Sequence, residues 1–245
     1  MRSVSPLRLV SLGLVVGLAA CLPLSGCADN DSSLFIKGVL VPEEGENEGC
    51  RYTAEGDATL LLSGTLDLSI SNTYKMPLLL GNQLIPRGDA DKLRTETARI
   101  VIRGAVVTVL EAGAEQRELF AFTTNASGFV DPASGSDPGW GLSIVHAIPS
   151  DLEAQLGLGL GEAIELNVAV SVFGDTLGGD EVESSTITFP IFVCRGCLVD
   201  CSTAGFDGSC RTVPEGGELD VYCNPGQDAP TPCQYSGDAD AICGS

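Results

Sequence analysis

The sequence predicts an all-β fold, an antiparallel β-sandwich followed by a small, disulfide-rich, irregular C-terminal tail. Three observations predict it. Apolar and polar residues alternate over several short runs, which is the period of a half-buried strand. Thirty glycines and thirteen prolines punctuate 245 residues, favouring many turns over long helices. Seven of the ten cysteines crowd into residues 194–245, where large apolar side chains are scarce.

Taken in order, Leu34 to Val41 is the first candidate strand. Leu66, Leu68 and Ile70 alternate with Asp67, Ser69 and Ser71, so a strand with a wet face is expected there. The stretch Asn72 to Leu84 is the most apolar of the body and reads as a core strand or as a partner-binding edge. Ile100 to Ile102 and Val106 to Val109 flank Gly104, a position for a bulge. Leu119 to Thr124 and Leu142 to Ala147 are shorter candidates. Ile164, Leu166, Val168, Val170 and Val172 alternate with Glu165, Asn167, Ala169 and Ser171. Ile187, Phe189, Ile191 and Val193 repeat that pattern beyond the glycine-rich run Gly174 to Asp180, so the two form a hairpin. One helix is expected at Pro149 to Leu156, capped by Ser150 and stopped by Gly157.

These strands define a sandwich domain over residues 34–193, with a closed barrel as the structural alternative. The spacing resembles immunoglobulin-like and fibronectin-like sandwiches, a likeness of fold that carries no function. The tail, residues 194–245, holds Cys194, Cys197, Cys201, Cys210, Cys223, Cys233 and Cys243; Cys50 lies near the front of the body. So poor a core calls for disulfide staples. Eight cysteines allow about a hundred connectivities. Cys50 has no close neighbour in sequence, and a Cys50–Cys194 bridge is the expected pairing. The rival readings are zinc on Cys194, Cys197 and Cys201 and a redox pair at Cys194 and Cys197. An oxidising compartment favours disulfides, so no metal and no cofactor are expected.

The N-terminus points to that compartment. Arg2 and Arg8 precede the apolar run Leu9 to Ala20, which is short for a membrane span. Leu24-Ser25-Gly26-Cys27 resembles the lipobox of bacterial lipoproteins. The resemblance implies a signal peptide at residues 1–26, lipid (palmitate among the acyl groups) on Cys27, and a tether over residues 27–33. Cys21, after Leu18-Ala19-Ala20, is the alternative site. Parity favours Cys27, because eight cysteines then remain to pair. By the sorting pattern of that family, Ala28 implies the outer membrane, with the periplasmic or surface face left open.

Composition excludes other roles. There are 33 acids against 13 Lys and Arg, and Arg2 and Arg8 leave with the signal, so the mature chain carries −22. Such a body repels nucleic-acid phosphates, and its membrane partner must be reached through lipid rather than a basic patch. No nucleophile elbow, zinc-protease helix, phosphate loop or dinucleotide fingerprint is present. His146, the single histidine, falls in a strand pattern as a wet-face residue. Asp89, Asp91, Asp180 and Glu181 sit in expected loops, without the spacing of a helix–loop–helix calcium site. The expectation is a non-enzymatic cell-envelope lipoprotein with a structural or interaction role and a protein or glycan partner. A carbohydrate- or calcium-binding module is the alternative. A carboxylate-dependent glycoside hydrolase comes last, since Trp140 is the lone tryptophan for stacking on sugars.

Overall fold

The computed structural model describes residues 33–44, 50–89, 94–113, 116–203, 210 and 223–244. Cys21, Cys27 and Asp91 lie outside them. In chain order the strands are β1 (Leu34–Leu40), β2 (Glu43–Glu44), β3 (Cys50–Arg51), β4 (Leu60–Leu61), β5 (Gly64–Asp67), β6 (Tyr74–Asn82), β7 (Ile100–Glu111), β8 (Glu118–Val130), β9 (Gly139–Ile148), β10 (Ala163–Thr176), β11 (Glu181–Glu183), β12 (Ile187–Cys194), β13 (Val199–Asp200) and β14 (Thr231–Pro232). Helix α1 (Leu152–Leu156) joins β9 to β10, and α2 (Ala239–Cys243) follows β14.

The two main sheets run β4–β1–β6–β9 and β5–β12–β10–β7–β8, with β11 beside β10. Within them only β5 and β12 pair in parallel. The order places β1, β6 and β9 as strands A, B and E of an immunoglobulin-like sandwich, and β7, β8, β10 and β12 as C, C′, F and G. Inward residues of β10 and β12, among them Leu166, Val168, Val170, Val172, Ile191 and Val193, are buried against Leu34, Leu78, Leu80 and Val145 from the facing sheet. The expected hairpin is β10 with β12, in register from Ala163–Cys194 to Val170–Ile187. The expected bulge also forms, as the register of β7 on β8 shifts between Ile102 and Gly104.

Of the two readings of Asn72 to Leu84, the core strand holds: β6 lies between β1 and β9 and is buried from Met76 to Asn82. Three readings of local structure are corrected. The Leu66–Ser71 strand stops at Asp67, because Ile70 and Ser71 both donate their N–H to the Asp67 carbonyl and turn the chain. Ser171, expected wet, is buried because β11 covers it and Glu183 accepts its hydroxyl. The cap of α1 is Asp151 rather than Ser150, without a side-chain bond, while Gly157 closes the helix in the left-handed conformation at φ 59°.

The sandwich is closed along its β8–β9 edge by glycines. A Cβ at Gly128 would run into the Leu142 carbonyl, and Cβ atoms at Gly139 and Gly141 would overlap the carbonyls of Asp131 and Phe129. Ser143 Oγ donates to the Ser127 carbonyl across this seam at 3.1 Å. The molecule thus has two poles. One holds Ser33, the end of β6, the start of β7 and the loop after β10. The other holds the end of β12, α1 and the tail. Among the described residues no helix is long and apolar enough to cross a membrane.

Candidate functional site

The tail folds back as a cap on the second pole, and its seat is built from buried polar groups of the body. Asp67, at the end of β5, is fully buried. Its Oδ1 accepts Ser69 N–H at 2.9 Å, Ser69 Oγ–H at 2.8 Å and Gly196 N–H at 2.7 Å; its Oδ2 accepts Leu198 N–H at 2.8 Å. One carboxylate thereby fixes the turn after β5 and the first residues of the tail.

Residues 226–228 return to the free side of β5. Asp67 N–H donates to the Gly226 carbonyl at 2.8 Å, and Asp228 N–H to that of Thr65 at 3.0 Å, around a bridge between Leu66 and Gln227. The side-chain amide of Gln227 then takes both main-chain groups of Lys75, accepting at 2.9 Å and donating at 2.6 Å. Asp228 Oδ1 accepts Thr65 N–H at 2.7 Å, and its Oδ2 accepts the hydroxyl of the fully buried Tyr74 at 2.9 Å. Burial pushes the Asp228 carboxyl above its ordinary range, against the lowering effect of these bonds. Burial and the neighbouring Asp228 charge push the Tyr74 phenol far up, so it stays a donor. Arg195 ties the cap to α1, meeting Asp238 at 2.8 Å and Glu153 at 3.0 Å.

Four disulfides brace this cap: Cys50–Cys223, Cys194–Cys197, Cys201–Cys243 and Cys210–Cys233. The expected Cys50–Cys194 bridge does not form. Cys194 closes a short loop with Cys197, whose intervening Gly196 is left-handed at φ 94° and bonded to Asp67. Cys50 instead meets the returning segment at Cys223, where Asn224 also donates to the Tyr52 hydroxyl at 2.8 Å. Sulfur and carboxylate come together at Asp67, Cys194 and Cys197. Those sulfurs are joined to each other and carry no thiolate charge for zinc, and the Asp67 oxygens already hold four donors.

The first pole carries an open, polar cleft of about 430 Å³. Ser33, Thr97, Thr176, Asp180, Glu181 and Arg87 line it together with Leu84, Ala98 and Val182. Glu96 beneath it accepts N–H groups from Ala98, Gly88 and Arg87, and these hold its carboxyl below the usual range. Of the acids singled out in sequence, Asp180 and Glu181 reach this cleft, while Asp89 pairs back to Arg94 in the preceding loop. His146 is exposed on β9 opposite Lys75, away from the cleft. Trp140 packs edge-on against Phe35 at 5.7 Å, with Lys37 over its ring at 5.2 Å, so both partners are from this chain.

Sequence reasoning missed Asp67, Gln227 and Asp228. The available signals were an acid inside an apolar alternation followed two residues on by Ser69, and the turn-forming run Asn224-Pro225-Gly226. No protein-family model, curated protein or solved structure matches the chain.

Proposed function

We propose that this chain is a lipid-anchored, non-enzymatic module of the bacterial cell envelope, which presents an acidic, disulfide-braced cap for interaction with another macromolecule. The observation that carries the reading is the closed set of bridges. All eight cysteines from Cys50 to Cys243 pair among themselves, so Cys27 is left for acylation and Cys21 for removal with the signal. Bridges of this density also suit an exported chain. The buried polar side chains at this pole are engaged in holding the cap: Asp67 of the body accepts Gly196 and Leu198 N–H, and Tyr74 of the body donates to Asp228 of the cap. Ala28 favours the outer membrane.

Intact mass spectrometry of the native protein tests this. The expected product starts at Cys27, carries acyl mass and gains eight hydrogens on full reduction. A chain retaining residues 1–26, or one with free thiols, overturns it. The second reading is a glycan- or calcium-binding module, supported by Asp180 and Glu181 beside three hydroxyl side chains in the cleft. Calorimetry with calcium and a glycan panel tests it, and flat traces remove it.

A further inference from the structure

We infer that the pole bearing Ser33 rests on the lipid surface itself, through Ile85, Phe129 and Leu177, so that the sandwich stands with its cap pointing outward. The inference rests on the lipid-anchored reading and adds an orientation and a contact surface to it.

Three of the four most exposed large apolar side chains among the described residues lie at this pole: Ile85 at 79 %, Phe129 at 57 % and Leu177 at 51 %. The structure draws them together. Leu177 donates its N–H to the Arg99 carbonyl, and the Arg99 guanidinium stands 5.1 Å from the centre of the Phe129 ring. Ile85 follows Leu84, whose carbonyl accepts from Ala133 N–H, two residues past the Asp131 that pairs with Arg99. Exposed apolar groups clustered in this way mark a contact surface.

The chain itself says what the surface meets. Ser33 is fastened to this pole, its carbonyl accepting Gln83 N–H at 2.9 Å. The six residues Ala28 to Ser33 span at most about 20 Å when fully extended. A lipid on Cys27 therefore keeps Ile85, two residues beyond Gln83, within reach of the bilayer.

The charge of the distant cap adds little to headgroup repulsion, because screening confines that repulsion to about 8 Å at physiological salt. Against the exposed Asp180 and Glu181 and its own Asp89, the loop brings Arg87, Arg94 and Arg99. Its Glu96 is turned onto backbone N–H groups, and Asp131 is paired with Arg99. Asp180 and Glu181 line the cleft. Apolar side chains with flanking arginines suit the headgroup boundary.

The test uses the full lipidated protein in phosphatidylethanolamine/phosphatidylglycerol vesicles carrying brominated acyl chains. Ile85→Trp is compared with Leu160→Trp, a half-exposed site before β10 at the cap pole, and the Trp140 signal of the unaltered protein is subtracted. Interfacial side chains sit roughly 5–10 Å deep, so Ile85→Trp should lose about half its emission and Leu160→Trp none. Equal, unquenched emission from both variants while the protein floats with vesicles overturns the orientation and leaves the anchor standing. Protein that does not float with vesicles overturns the anchor and the orientation together.

Discussion

Replacing Asp67 by asparagine preserves the side-chain volume and exchanges one acceptor oxygen for an N–H donor. The best placement of the amide keeps the three donors on Oδ1 and turns its nitrogen toward Leu198 N–H. The lost bond to a charged acceptor costs ~1.5–3 kcal/mol, and the stranded, part-buried Leu198 N–H a further ~1–2 kcal/mol. A loss of about 3–5 kcal/mol corresponds to a fall in Tm of roughly 6–20 °C for a domain of this size. Thermal unfolding of the oxidised protein, followed by circular dichroism at neutral pH, measures it. Because Gly196 and Leu198 flank Cys197, reduction of the Cys194–Cys197 bridge by dithiothreitol should also speed up. Stability within about 0.5 kcal/mol of the parent, the range of an ordinary surface change, would refute the hub reasoning. So would a destabilised variant whose bridge is reduced at the parent rate.

Burial raises the Asp228 pKa, so folding favours its protonated form. That contribution is complete below the unfolded value of about 4 and is lost as pH rises through the raised folded value. Protection factors for hydrogen exchange in residues 223–244, corrected for the intrinsic pH dependence of amide exchange, should therefore rise on mild acidification from neutral pH, and Asp228→Asn should flatten that rise. Serine replacement of both Cys50 and Cys223, 173 residues apart, should cost about 5 kcal/mol by loop entropy, against about 2 kcal/mol for Cys194 and Cys197, 3 apart. Urea unfolding ranks the two pairs, and the reverse order would contradict that account. Gly139→Ala should destabilise by ~3 kcal/mol or more, since its Cβ overlaps the Asp131 carbonyl, whereas Gly237→Ala, in open space, should stay within ~0.5 kcal/mol. Equal melting temperatures for the two would contradict the glycine seam.

The strands of the body were legible because their burial follows period two. β10 and β12 face a single core, and each inward residue announces itself as Leu, Val or Ile. The bulge at Gly104 was legible for a similar local reason. Legibility failed where a polar residue is buried by something remote in sequence. Asp67 reads as a wet-face residue because the groups that cover it, Gly196 and Leu198, lie 129 and 131 residues away. Ser171 is masked from nearer by, since Glu183 of the short strand β11 lies only 12 residues on. Cysteine pairing was illegible for the same reason, since the partner of Cys50 is set by how residues 223–228 return to β5. The cleft is a junction of three loops, and no single segment carries its signature.

The last lane of the second sheet is filled by residues from the far end of the chain, with Asp228 bonded to Thr65 across 163 residues. During synthesis, β5 must therefore wait with one side unpaired until residues 226–228 have emerged. A chain cut short before Cys223 would present that raw margin to its neighbours, where strand-to-strand adhesion begins. Completion of the cap thus doubles as a proofreading step, separating finished copies from those that chaperones and proteases should retain.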